Sequence, residues 1–266
     1  MGERLTDAAL VAYRAAGALV RPLVPLALAA RARRGKEDAV RRSERYGHAT
    51  LERPAGPLVW VHAASVGETN AVVPLLERLT QDGFRILFTS TTVTSSRVAA
   101  ARLPAGALHQ FGPVDVVAYV DRFLDHWRPD LAILVESELW PGAISRLHAR
   151  RIATVVVNAR LSARTFNGWN RISAVARGLF ARIALVLAQS EEDAERFRRL
   201  GVRNVRVAGN LKSDAPPLAA DPVELARIRD AAGQRPVWVA ASTHEGEEAV
   251  VAEVHRRLRG RFPDLL

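Results

Sequence analysis

From Leu58 onward, short apolar runs alternate with longer stretches of helical pattern. The apolar runs are LVWVH (58–62), RILFTS (85–90), LAILVE (131–136), ATVVVNA (153–159), LVLAQ (185–189) and VRVAG (205–209). Nearly continuous apolar runs of this length predict strands covered on both faces, hence a parallel sheet. Between them, TNAVVPLLERLTQDG (69–83), VTSSRVAAARL (93–103) and EEDAERFRRLG (191–201) predict helices. Two of these end in glycine, where the first residue past a helix favours it. Strand–helix alternation then predicts a doubly wound α/β domain over 51–210.

The rhythm breaks at GNLKSDAPPLAADP (209–222), which predicts a linker at 211–222. After it the pattern predicts a helix near 222–231, a strand PVWVAAS (236–242) and a helix at EGEEAVVAEVHRRLRGRF (245–262), with PDLL opening another strand. So few elements cannot bury a core. Residues 223–266 therefore read as the beginning of a truncated second domain.

At the other end, Ala8 to Ala30 is long and apolar enough to match a bilayer, interrupted by Arg14 and Arg21. Those arginines are seven apart and share a helix face, so a helix lying in the interface lets both reach head groups. Pro22 and Pro25 predict a break near its end. From Arg31 to Arg45 follow Arg31, Arg33, Arg34, Lys36, Arg41, Arg42 and Arg45 against Glu37, Asp38 and Glu44. A basic segment beside an apolar one is attracted to an anionic membrane surface. Residues 1–50 are expected to form this membrane-associated segment; a soluble helix packed on the domain is the alternative. Arginine within the apolar run, and no small-residue cleavage site after it, argue against a signal peptide.

Composition narrows the partners. The 266 residues carry 38 Lys+Arg against 28 Asp+Glu, a formal charge of +10, and Lys36 and Lys212 are the only lysines. This favours anionic partners. With 6% aromatics and no helix-turn-helix signature, a nucleic-acid partner is not expected. The absence of cysteine excludes disulfides and thiolate metal sites.

In open α/β sheets ligands bind beyond the carboxyl ends of the strands, so the residues there carry the candidate chemistry. In HAASVGE, Ser65, Gly67 and Glu68 form a capping-box pattern, and Glu68 is either a cap or a base. In TSTTVTSSR, Thr91, Ser96 and Arg97 lie where hydroxyls cap a helix or meet a ligand. In ESELWP, Glu136 and Glu138 point the same way if the strand persists; no histidine cluster accompanies them, so no metal is expected. GNLK sets Asn210 and Lys212 at a strand end, where the lysine is a surface charge or an anion contact. STHEGEE offers Ser242, Thr243 and His244, with a hydroxyl as helix cap.

Together WVHAASVGE, TSTTVTSSR, WRPDLAILVESELWP, VVNARLS, LAQSEEDAERFRRLG, VAGNLKSDA and VWVAASTHEGEE resemble the 3-deoxy-D-manno-octulosonic acid (Kdo) transferases of lipopolysaccharide synthesis. The resemblance implies a GT-B fold of two Rossmann-like domains and inverting, metal-independent transfer without a cofactor. It implies CMP-Kdo as donor, a lipid A precursor as acceptor, and the cytoplasmic face of the inner membrane. It implies Glu68 as general base and Glu138 and Lys212 as transition-state stabilisers. The family's CMP-binding motifs fall beyond Leu266, so the chain is expected to hold the acceptor side and little of the donor site, and not to turn over CMP-Kdo alone. The alternative is a non-catalytic, membrane-surface lipid-A-binding remnant.

Overall fold

The computed structural model describes residues 2–214 and 220–266. The chain divides into two compact units, Met1–Ala215 and Pro216–Leu266.

The first unit is built on seven parallel strands: β1 (Leu58–His62), β2 (Arg85–Ser90), β3 (Leu108–Phe111), β4 (Leu131–Val135), β5 (Ala153–Ala159), β6 (Leu185–Ala188) and β7 (Val205–Val207), in the order β3-β2-β1-β4-β5-β6-β7. Helices α3 (Val66–Gln81), α4 (Val93–Arg102), α5 (Val117–Trp127), α6 (Pro141–Ala149), α7 (Ala163–Asn170), α8 (Ser173–Phe180) and α9 (Glu191–Arg199) connect them. Burial on both sheet faces explains the unbroken apolar runs: every residue of β1 is buried, and Trp60, Phe88, Phe123 and Trp127 are fully enclosed. The strand order reverses between β1 and β4, which opens a crevice at their carboxyl ends.

Strand β3 (LHQF) is absent from the sequence expectations because His109 and Gln110 break its apolar pattern. Gln110 is nonetheless fully buried, its Oε1 accepting the Trp127 indole N–H at 3.0 Å. Strand β4 stops at Val135, so the expectation that Glu136 and Glu138 share a strand face does not hold. Glu136 sits at φ 56°, in the left-handed region, and the turn sends the two carboxylates to different partners.

The N-terminal stretch folds as α1 (Gly2–Val20), a 3₁₀ turn (Arg21–Leu23) and α2 (Val24–Arg33), with the break at Pro22 and Pro25. One face packs on the body: the Thr6 hydroxyl donates to the Ala174 carbonyl, Gly178 lies against Thr6, Asp7 pairs with Arg182 at 2.7 Å, and Tyr13 donates to Asp115 at 2.8 Å. Val24 and Leu28 pack with Val116 and Tyr119. The other face stays apolar and open, with Leu19 80% and Leu26 68% exposed. Arg4–Arg33 is long and apolar enough to cross a membrane by length and composition.

The basic segment is more folded than its charge pattern implies. Glu37 pairs with Arg31 and Arg45, and Glu44 with Arg41, both carboxylates buried. Arg45 also donates to the Gly112 carbonyl and Phe111 N–H donates to Glu44 at 2.7 Å. These ties lock the 3₁₀ turn Arg42–Tyr46 onto β3 and leave Arg33, Arg34 and Lys36 exposed.

In the second unit, α10 (Pro222–Ala232) and α11 (Glu247–Arg259) form, but no strand forms at 236–242. Pairing there is limited to Leu266, whose N–H donates to the Pro236 carbonyl and whose carbonyl accepts from Trp238. A ladder this short does not make a strand. None of the described residues 220–266 is buried. The middle of the expected linker, 215–219, lies outside the described residues.

Candidate active site

The first strand end sets the base candidate. Ser65 is the N-cap of α3, its side chain accepting the Glu68 N–H at 3.2 Å. Glu68 reaches back with both oxygens: Oε2 accepts the Ala64 N–H at 2.8 Å and Oε1 the Ser65 hydroxyl at 2.7 Å. The reciprocal bond therefore runs to Ala64 and the Ser65 hydroxyl, not to the Ser65 N–H that a capping box requires. Glu68 is 9% exposed. Two anchored oxygens fix its orientation, and a carboxylate has about four lone-pair sites, so accepting capacity remains. Ser95 Oγ donates to the Ala64 carbonyl at 3.1 Å and ties this loop to α4.

Across the reversal, Glu136, just past β4, and Asn158, next to last in β5, are both left-handed (φ 56° and φ 50°). Asparagine tolerates this region; for glutamate it costs about 1–2 kcal/mol. Asn158 Nδ2 donates to Glu136 Oε1 at 3.4 Å and its Oδ1 accepts the Leu211 N–H at 3.0 Å. That bond draws in the 3₁₀ turn Leu211–Asp214. Asn210 Oδ1 accepts the Lys212 N–H at 3.0 Å. Lys212 Nζ then lies 3.6 Å from Glu136 Oε1, and a Cβ at Gly67 would stand 3.9 Å from that ammonium. Lys212 is thus brought to the N-terminus of α3, whose first turn carries Glu68.

Glu138 turns toward β1 instead. Its Oε2 is 3.5 Å from Nε2 of His62, the last residue of β1. His62 is 1% exposed; its Nδ1 lies 2.7 Å from Thr89 Oγ1, and the Trp140 ring meets it edge-on at 4.7 Å. Gly112 backs the ring so closely that a Cβ would come within 2.8 Å of it. His62 was not among the sequence candidates because LVWVH reads as plain core strand.

The remaining candidates separate. In TSTTVTSSR the capping is done by Thr92 and Ser95, which form a full capping box. Ser96 is half-buried and Arg97 exposed. Thr91 holds a buried hydroxyl without a hydrogen-bond partner. It lines a mixed trough of about 300 Å³ with Tyr13, Arg45, Val114, Asp115, Leu139, Trp140 and Pro141. A second hollow of about 300 Å³, lined by Val20, Leu23, Val24, Ala27 and Leu28, shares Arg45, Thr91 and Val114 with it. Ser242, Thr243 and His244 belong to the second unit. Neither hydroxyl caps α11, whose N-cap is Gly246; Thr243 donates to Glu248 and the His244 N–H to Glu247, each at 2.8 Å. No cluster of three or more His, Cys, Asp or Glu side chains suited to a metal occurs among the described residues.

Residues 40–215 match the family model for 3-deoxy-D-manno-octulosonic-acid transferase (kdotransferase). The chain is 35% identical over 261 residues to "Probable 3-deoxy-D-manno-octulosonic acid transferase, mitochondrial" of Arabidopsis thaliana, covering 95% of this chain and 58% of that protein. It is 36% identical to the 3-deoxy-D-manno-octulosonic acid transferase of Haemophilus influenzae, covering 83% and 52%. The chain spans little more than half the length of these relatives. UDP-GlcNAc 2-epimerase from Neisseria meningitidis, at 13% identity and a TM-score of 0.52 over 79% of this chain and 64% of that one, shares the fold. With a matching model over about two thirds of its length and relatives along nearly all of it, the chain belongs to the 3-deoxy-D-manno-octulosonic acid transferase family.

Proposed function

We propose that this chain forms the acceptor side of a GT-B glycosyltransferase that moves Kdo from CMP-Kdo to a lipid A precursor at the cytoplasmic face of the inner membrane. The observation that supports this reading is the placement of Glu68 in the first turn of α3 with the Lys212 ammonium at the same helix end, while Glu138 lies beside His62 at the end of β1. Glu68 takes the proton of the acceptor hydroxyl, whose oxygen bonds to the anomeric carbon of Kdo as the bond to the CMP phosphate breaks, with inversion. A base in reach contributes about 10²–10⁴-fold to such a step. Glu138 faces the oxocarbenium-like centre, and the Lys212 ammonium balances charge on the departing phosphate. Ser65 and Gly67 shape the helix start that carries the base. Ser242, Thr243 and His244 are assigned to the donor side.

Two adjoining hollows that share Arg45, Thr91 and Val114 support a lipid acceptor, since Val20, Leu23, Val24, Ala27 and Leu28 line the one under α1–α2 with surface suited to an acyl chain. The open apolar faces of α1 and α2, with Arg14 and Arg21 exposed, support residence at a membrane surface.

The test joins this chain to the remaining length of a curated relative and measures Kdo transfer to the lipid A precursor. Glu68→Gln is expected to abolish transfer; undiminished activity makes Glu68 a helix cap and overturns the reading.

A further inference from the structure

We propose that His62 is a positioning residue that holds the Glu138 carboxylate in the crevice by pointing a fixed Nε2–H at it. The inference rests on the reading that Glu138 serves the transfer reaction. It starts from the hydrogen count at Thr89. The Thr89 hydroxyl accepts the Trp60 indole N–H at 2.8 Å, and indole nitrogen can only donate. One hydroxyl hydrogen and one lone pair then remain. The Val61 carbonyl at 3.4 Å is a long partner for that hydrogen and His62 Nδ1 at 2.7 Å a close one, so we assign the hydrogen to Nδ1 and leave only the longer contact to Val61 unmade. With Nδ1 accepting, the neutral ring carries its proton on Nε2.

That nitrogen is buried, has no hydrogen-bond partner, and lies 3.5 Å from Glu138 Oε2. The opposite tautomer would set a lone pair against a carboxylate in a poorly solvated corner. The ring is hemmed in: Gly112 flanks one side so closely that no Cβ would fit there, and Trp140 stands edge-on to it. A modest approach of Glu138 converts 3.5 Å into a hydrogen bond across the β1–β4 reversal. The Trp60–Thr89–His62 chain therefore carries order from the sheet core to a carboxylate on a loop.

The tautomer can be read without turnover, in the 266-residue chain labelled with ¹⁵N. Side-chain ¹H–¹⁵N spectra should show His62 with a protonated Nε2 and an unprotonated Nδ1, its signals assigned by their loss in His62→Gln. Glu138→Ala should shift the Nε2 resonance and speed its proton exchange. A protonated Nδ1 with bare Nε2, or an Nε2 signal indifferent to Glu138→Ala, overturns the proposal. In the transfer assay above, His62→Phe keeps ring volume but loses the donor, and kcat should fall at least tenfold with little change in acceptor KM. His62→Gln, with an amide N–H near the same place, should recover part of that loss. If His62→Phe does not fold, the spectra and the glutamine variant still decide. Loss of transfer in Glu138→Ala with none in His62→Phe or His62→Gln refutes positioning. Full transfer in Glu138→Ala refutes the role of Glu138 instead, and it is distinguishable because the tautomer result stands apart.

Discussion

At the scale of single residues, Ser65 and Glu68 show how one local geometry serves structure and chemistry together. Their spacing was legible in the sequence, because N-cap and N3 lie a fixed distance apart on any helix. Which N–H the carboxylate would take was not legible, since that depends on the turn between β1 and α3. Ser65→Ala should cost about 1 kcal/mol of stability, read from the shift in urea midpoint at constant slope. The divergence of Glu136 and Glu138 was also hidden: nothing in ESELWP announces a left-handed glutamate, which is held by Asn158 and Lys212 from distant parts of the chain. His109 supplies a pH test. Burial first, and the Arg41 charge second, lower its pKa to about 4 from the ordinary 6.5. Between those values the unfolded chain binds the proton and the native state does not, so stability is complete above about pH 6.5 and declines as pH falls toward 4. The loss amounts to about 3 kcal/mol. His109→Gln should flatten that part of the stability–pH curve, measured by denaturant unfolding at each pH.

At the scale of elements, the unbroken apolar strands identified themselves, and six of seven lay within a residue or two of their expected ends. Strand β3 escaped because its polar residues find partners on other elements: His109 Nε2 meets Ser90 Oγ of β2 at 2.9 Å and Gln110 Oε1 accepts the Trp127 indole N–H. PVWVAAS has strand-like residues but no neighbouring strand to pair with, which no local pattern reports. Helix α1 was expected at a membrane interface or packed on the domain, and its packed face is set by small residues. A Cβ on Gly178 would meet Thr6 Oγ1 at 2.0 Å. Gly178→Val should therefore lift α1 from α8, and limited proteolysis should then cut the first turns of the chain while the sheet stays protected. Gly47→Ala should be more damaging, since φ is +80° and the new Cβ would lie 2.0 Å from the Tyr119 carbonyl oxygen. Loss of the cooperative transition, or of soluble expression, is the expected outcome.

At the scale of the whole molecule, the charge of +10 does not sit where the sequence first places it. Arg31, Arg41 and Arg45 are committed to buried carboxylates, leaving Arg33, Arg34 and Lys36, with Arg14 and Arg21, exposed and available to an anionic partner. Binding to vesicles should therefore depend on anionic lipid and weaken with salt, and Leu19→Glu with Leu26→Glu should reduce it at least tenfold in co-sedimentation. As a base, Glu68 should be needed for transfer but not for holding the acceptor. The direct measurement compares acceptor binding and Kdo transfer in one preparation of the joined chain, for Glu68 and for Glu68→Gln. With Glu68 as the base, acceptor affinity is equal in the two and the transfer rate of Glu68→Gln is lower by about 10²–10⁴-fold. Equal transfer, or affinity and transfer falling together by the same factor, would contradict it.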